Sequence, residues 1–333
     1  MNLAWFWMLA AMLTTFAVLD GYDLGVGALH LVLARGDAER RLGLAAIGPL
    51  WDGNEVWLLA SGGMLVVAFP RFYAAAFSGF YLALMLVLWL LVLRGVAIEF
   101  RHQVRHPLWA SFWDVVFSLA SLLLALLLGV ALGNVVRGVP MQQDGYFRGS
   151  FALLLNPYAL LTGLLSLAVL AWHGANFLRT KAEGGLQQRA HRASRALGWA
   201  ALALALLATA ATFSLRSNVL ANFRQHPVAL LFPVLAALGW LLGRSPVHRR
   251  AFLGSSLAIA GLLAAAAATV VPNLLLSTLD PAFSLTVYNA AAGPHGLRVA
   301  FLANALALAA VVAYSLYIHH AFRGPTRPGG HGY

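Results

Sequence analysis

The sequence predicts an all-α integral membrane protein that crosses the bilayer nine times, and three observations carry that prediction. Of its 333 residues 61% are hydrophobic and only 10% are charged, against about 25% charged in soluble domains, and the mean hydropathy is +0.78. The apolar residues form continuous runs close to the ~20 residues that a helical span needs, without the ten-residue alternation of a membrane barrel. The charged residues gather in short segments between those runs. A net charge of +11 would point to nucleic acid in a soluble chain; here the basic residues set topology, and no nucleic acid partner is expected. Cysteine is absent, which excludes disulfides, thiolate catalysis and cysteine-ligated metal or iron–sulfur centres.

Taken in order, the runs place spans at about 5–33, 48–69, 74–98, 112–133, 152–177, 196–215, 228–243, 252–276 and 299–320. The first begins in MNLAWFWMLA, which lacks the basic n-region of a cleavable signal and reads as the start of a retained helix. A short basic loop joins spans 1 and 2. The longest connection, RTKAEGGLQQRAHRASR (Arg179–Arg195), follows span 5. The tail RGPTRPGGHGY after Phe322 is rich in Gly and Pro and reads as disordered.

Nine crossings divide the Lys and Arg residues unevenly. The side holding the N-terminus receives six: Arg71, Arg137, Arg148, Arg216, Arg224 and Arg298. The other side receives sixteen of the 22, including Arg35, Arg40, Arg41, Arg94, Arg101, Arg105 and Arg327. The positive-inside rule makes that second side cytoplasmic, with the N-terminus outside and the C-terminus inside.

Four carboxylates stand out against this background. Asp20 and Asp23 lie in DGYDLGVG (Asp20–Gly27), and Asp52 and Glu55 in GPLWDGNEVWLL (Gly48–Leu59), while the whole chain has only eleven acidic residues. A charged side chain at the centre of a membrane helix costs roughly 2.5–3.5 kcal/mol on insertion scales, so such residues are functional candidates by default. Asp20 lies about 22 Å along the first span from Trp5, in its cytoplasmic half, and Asp52 lies about one turn into the second span from the same side. Each pair is spaced i,i+3 and shares a helix face. Spans 1 and 2 are joined by a short loop and are expected to pack, bringing all four acids to one cytoplasm-facing seam. Gly21, Gly25, Gly27 and Gly53 suit a close approach of those two helices. The plain alternative is that the acids reach the headgroups or pair with Arg35, Arg40 or Arg41. On physics alone, intramembrane acids on nine spans also fit a secondary transporter with a carboxylate-lined site.

At these residues the sequence resembles subunit II of the cytochrome bd-type quinol oxidases, the cyanide-insensitive branch included. DGYDLGVG and GPLWDGNEVWLL carry the likeness, followed in family order by FPRFYAAAFSGFY (Phe69–Tyr81), GN…RGVP (Gly133–Pro140), LLNPYALLTGLLS (Leu154–Ser166) and SLTVYNAAAGPHGL (Ser284–Leu297). The resemblance implies two four-helix bundles plus a further helix, here 1–133, 134–298 and a final helix with its tail over 299–333. It implies a partner, subunit I, that holds haems b and d and the site of quinol oxidation, while this subunit firmly binds no cofactor and is not itself catalytic. It leaves room for a small accessory subunit and for a quinone held as a structural, lipid-like ligand. The complex would oxidise quinol and reduce dioxygen to water in a bacterial cytoplasmic membrane. Within it, Asp52 is the position associated with proton entry from the cytoplasm, Asp20 and Asp23 belong to the supporting motif, and Glu55 is structural or auxiliary because relatives also carry glutamine there.

The remaining polar residues attract simpler readings. Among the eleven histidines only His173 and His30 fall well inside spans, His319 and His320 lie near the cytoplasmic surface on different helix faces, and no pair has the opposition of a bis-His haem. His173, beside Trp172 and Asn176, reads as a hydrogen-bonded packing residue. Glu99 with Arg101, and Asp114 with Arg105, read as solvated interfacial pairs. Phe77, Phe80, Tyr81 and Trp89 along span 3 would face lipid or a partner, and His295 sits in a family-like segment without an assigned role.

Overall fold

A computed structural model of the chain describes residues 1–216 and 219–326; the end of the tail, with Arg327 and His331, lies outside the described residues. The first half runs α1 (Asn2–Leu33), α2 (Asp37–Ile47), α3 (Trp51–Ala68), α4 (Pro70–Gly79), α5 (Tyr81–Phe100) and α6 (Pro107–Arg137). The second runs α7 (Phe151–Leu154), α8 (Pro157–Lys181), α9 (Gly184–Leu215), α10 (Val219–Gln225), α11 (Leu231–Gly243), α12 (His248–Val270) and α13 (Pro294–Ala321). Several starts follow from local chemistry. Proline opens α4, α6, α8 and α13, where its missing N–H would have no helical partner anyway. Asn156 caps α8, its Oδ1 accepting from the Ala159 N–H at 3.0 Å.

Among the described residues, seven helices are long and apolar enough to cross a membrane: α1, α5, α6, α8, α9, α12 and α13. The other two expected spans fall on α3, whose first turns carry Asp52, Asn54 and Glu55, and on the shorter apolar stretch Pro227–Gly243. Several boundaries differ from the expected ones. The third run breaks at Phe80 into α4 and α5, and the fifth breaks before Pro157. The eighth ends at Val270 because Pro272 cannot continue a helix. Two stretches expected as loops are helical. α2 occupies the short basic loop, and α9 begins at Gly184, inside the expected Arg179–Arg195 connection.

α1 packs on α3, α6, α8 and α12, so it is the axis shared by both halves. α5 covers α6, α8 pairs with α9 and α12, and α11 lies along α12. The close approach expected between spans 1 and 2 occurs elsewhere. Gly21 and Gly25 face α8, Gly27 faces Ser121 of α6, and Gly53 faces Tyr314 of α13. At the crossing of α1 and α8 a Cβ on Gly25 would lie 2.0 Å from the Leu170 carbonyl oxygen, and one on Gly174 would lie 2.3 Å from the Gly25 carbonyl carbon. Only glycine permits that backbone contact. α13 lies at the periphery with a single buried residue, Leu297.

The two ends of the molecule are closed differently. At the end holding the N-terminus, the segment after α6 and a strand pair, β1 (Asn273–Leu275) with β2 (Leu285–Thr286), cover an apolar cluster that includes Trp5, Met12, Phe69 and Val287. At the opposite end α2 caps a cluster that includes Tyr22, Ile47, Ile98, Phe117 and Phe177.

Candidate functional site

The candidate site is built where α1, α3 and α5 meet below the α2 cap. Asp20 is fully buried and takes a two-pronged grip from Arg94 of α5: Nη2 donates to Oδ1 at 2.7 Å and Nη1 to Oδ2 at 2.9 Å. The same Nη2 reaches Glu55 Oε2 at 3.1 Å. Arg94 is itself fully buried, within the expected third span although it counts among the cytoplasmic-side basic residues. It lies inside α5 and is the counter-charge that the acids needed. The paired forks of guanidinium and carboxylate make this the strongest class of charged hydrogen bond.

Asp23, one turn further along α1, is equally buried. Its Oδ2 accepts from Asn54 Nδ2 at 2.8 Å, while its Oδ1 and the Arg94 Nε–H find no partner among the described residues. Asn54 Nδ2 also lies 2.7 Å from the Tyr22 hydroxyl and 3.2 Å from the Leu19 carbonyl. Tyr22 in turn sits 3.0 Å from His319 Nε2 of α13. Because His319 Nδ1 faces the Ser315 carbonyl at 2.8 Å and must donate to it, Nε2 is the acceptor of the Tyr22 O–H. The Tyr22 ring is fixed by stacking on Phe177, with centroids 4.1 Å apart.

Asp52 stands apart. It is exposed in the first turn of α3, where free backbone N–H groups favour an anion, and lies one turn outward from Glu55, a rise of about 4.5 Å. The structure therefore brings Asp20, Asp23 and Glu55 together around one arginine and leaves Asp52 at the rim. Within this core three carboxylates share one cation.

A second polar cluster secures the α2 end. Asp114 of α6 is buried and accepts from Arg101 Nε at 2.6 Å, from Arg101 Nη2 at 3.1 Å and from Arg40 Nη1 at 3.2 Å, with His30 Nε2 at 2.8 Å. Arg101 also donates to Asp37 at 2.8 Å, Arg41 pairs with Asp37, and Arg189 of α9 pairs with Glu39. The expected solvated pair of Asp114 with Arg105 is corrected here. Asp114 takes Arg101 and Arg40 rather than Arg105, and Arg101 turns to Asp114 and Asp37. α2 lies outside the spans, and there the hydrogen bond from Arg41, with Arg101 behind it, holds the Asp37 carboxyl below its usual range despite some burial. Burial pushes Glu39 upward, but the Arg35 N–H and Arg189 outweigh it and hold Glu39 low as well.

His173 behaves as a packing residue. Its Nε2 lies 2.9 Å from the Val18 carbonyl, its Nδ1 lies 2.7 Å from Ser255 Oγ, and the ring stacks on Phe252 at 4.9 Å. Both ring nitrogens of His173 are engaged, whereas His30 is held through Nε2 on Asp114. The partners that sequence reasoning missed are Arg94, Asn54, Tyr22 and His319. Only Arg94 left a signal, a lone charge toward the end of an apolar run.

Known proteins resemble this chain over most of its length. Residues 1–322 match the family model described as cytochrome bd terminal oxidase subunit II. A probable cytochrome oxidase subunit 2 of Haemophilus influenzae is 33% identical over 96% of this chain and 93% of its own. The cytochrome bd-I ubiquinol oxidase subunit 2 of Escherichia coli K12 is 32% identical over 89% of this chain and 87% of its own. The cytochrome bd ubiquinol oxidase subunit 2 of Bacillus subtilis is 31% identical over 96% and 95%. In fold, the chain superimposes on one from the bd oxidase of Geobacillus thermodenitrificans with a TM-score of 0.73, at 18% identity and covering 96% and 97% of the two chains. With its two acidic motifs set on adjacent helices and the family model spanning nearly its whole length, this chain belongs to the cytochrome bd terminal oxidase subunit II family.

Proposed function

We propose that this chain is the haem-free subunit of a quinol:dioxygen oxidoreductase, that it stabilises the haem-bearing subunit I, and that it supplies a path for proton uptake from the cytoplasm. The observation that carries the path is an exposed Asp52 one turn from the half-buried Glu55, which shares a single arginine with the buried Asp20 beside Asp23. An exposed carboxylate exchanges protons with water, and a partly neutralised buried group can pass them on. Glu55 bridges the two because it is half-buried and already touches Arg94. The unpartnered Asp23 Oδ1 and Arg94 Nε leave polar positions that an ordered water can bridge. Haem in the partner subunit supplies the electron transfer and the oxygen chemistry; this chain's residues bind and hand over protons.

The same reading gives nine crossings, with α3 and Pro227–Gly243 as the second and seventh, the N-terminus outside and the α2 end in the cytoplasm of a bacterial cell. It groups residues 1–133 and 134–298 as two bundles joined along α1, with α13 as the extra helix against α3.

Asp52→Asn tests the path. Turnover is expected to slow by up to roughly a hundredfold, within the usual contribution of a proton-transfer group, while haem absorbance stays at the wild-type level. Unchanged turnover would remove Asp52 from the path, and loss of haem would assign it to assembly.

A further inference from the structure

From Gly184 to Leu279 the chain contains no Asp or Glu. Yet the α2-side ends of α9, α11 and α12 present Arg192, Arg195, Arg244, Arg249 and Arg250, all exposed. The ion pairs among the described residues use Arg40, Arg41, Arg94, Arg101, Arg148 and Arg189, and none of these five. His191 is within electrostatic reach of both Arg195 and His248, and Gln187 Nε2 lies 3.3 Å from His248 Nδ1. The basic ends of α9 and α12 therefore face each other rather than diverging.

The patch has a built aromatic floor. The Arg244 guanidinium lies 4.4 Å from the Trp199 ring centroid and 4.7 Å from that of Trp240. The two rings meet edge to face at 5.0 Å, and the Trp240 Nε1–H donates to the Gly198 carbonyl at 2.7 Å. Stacking on two indoles orients a guanidinium while leaving its N–H edge free. Arg192, Arg195 and Trp199 share one face of α9 at i, i+3 and i+7. Trp199 is 53% exposed, at the depth where tryptophan marks a membrane interface. Deeper along the same helices the surface turns apolar and open, with Leu206 and Leu238 exposed.

We propose that this end of α9 and α11, centred on Arg195, Arg244 and the Trp199–Trp240 pair, binds the phosphodiester headgroup of an anionic phospholipid. Guanidinium forks match a phosphate's oxygens, and basic surfaces between helix ends at the membrane face are suited to anionic headgroups. A zwitterionic headgroup would bring its own cation against five uncompensated arginines, whereas a net negative one neutralises them. The exposed leucines below accept its acyl chains, which a soluble anion would not use. The inference rests on the membrane reading only in placing the patch at headgroup depth.

The test uses the intact oxidase complex in mild detergent, supplied with equal phosphatidylglycerol and phosphatidylcholine and analysed by native mass spectrometry. The wild type is expected to retain phosphatidylglycerol selectively. Arg195→Gln with Arg244→Gln should weaken that preference about 25-fold, about fivefold for each arginine lost from an anionic surface. Arg298→Gln, at the opposite end, should not change it. Unchanged haem absorbance reports that the variant complex is assembled, and Arg195→Gln alone carries the test if the double variant is not. Equal retention by the variant overturns the proposal. So does displacement of the adduct by inorganic phosphate, which would make the ligand a soluble anion, or loss of a protein subunit instead of lipid. Asp52→Asn should leave the lipid adduct intact, so failure of the proton path and failure of the lipid site are distinguishable.

Discussion

The two acid–arginine clusters of this chain use the same chemistry with opposite charge balance. Around Arg94, three carboxylates face one guanidinium, and Asp23 keeps an oxygen without a donor among the described residues. Around α2, the acids Asp37, Glu39 and Asp114 are met by Arg40, Arg41, Arg101 and Arg189, with His30 added. A cluster whose acids are matched by cations is a clamp. It ties α1, α2, α6, α9 and the end of α5 together and gains nothing from binding a proton. A cluster with surplus acid cannot hold every charge at low dielectric without cost, so proton binding and charge compensation become the same event there. Composition alone would have ranked the two alike; the cation count separates them.

The largest expected effect is removal of the one cation in the acid-rich cluster. Arg94→Gln leaves Asp20 buried without its fork, and the usual cost of such a broken buried pair is about 3–5 kcal/mol. The complex should melt at a lower temperature and lose haem during purification. An unchanged melting temperature would mean that the acids are neutral and that Arg94 is not their counter-charge. A smaller loss is expected from Asp114→Asn, about 1.5–3 kcal/mol for hydrogen bonds to a charged group. The clamp reading requires that oxidase turnover per haem be preserved in this variant, so a turnover defect at normal haem content would erase the contrast between the clusters.

The smallest effect is acid loosening of α2. Asp37 and Glu39 are held below their ordinary values, so their contribution is complete above the unfolded value near about 4 and fades as pH falls through the lower folded values. Partial exposure weakens these pairs further. Amide exchange along Asp37–Ile47, corrected for the intrinsic pH dependence of exchange, should accelerate at acid pH sooner than exchange within α1. Uniform behaviour of the two helices would show that the α2 contacts are not electrostatic.

Much of this arrangement is written in the sequence. Continuous apolar runs announced the long helices, because a chain without water must satisfy its backbone internally, and the four acids announced the candidate site by being out of place. What could not be read was tertiary. Arg94 lies 74 residues from Asp20 and sits toward the end of its run, where a basic residue looks like a topology signal. Asn54 and Tyr22 carry no charge to mark them, although they stand inside the two motifs. α2 was hidden because eleven residues including two Arg and two acids read as a loop. Its helix signals were local ones, Asp37 and Glu39 in the first turn and the i,i+4 pair with Arg41. The glycines were correctly marked as contact surfaces, but spacing on one helix does not say which neighbour will meet it.

The backbone contact of Gly25 with α8 bears on how fast a proton can move. With the main chains touching at Gly25 and Gly174, α1 is pinned to α8 within about one turn of Asp23 and cannot slide or roll there without a clash. Any response of Asp20 and Asp23 to an arriving proton is then confined to side-chain torsions and to water. Such rotamer changes run on picosecond to nanosecond clocks, whereas helix displacements take microseconds or longer. Proton entry along the proposed path should therefore be quick compared with turnover, and the cadence of the oxidase should be set elsewhere in the complex.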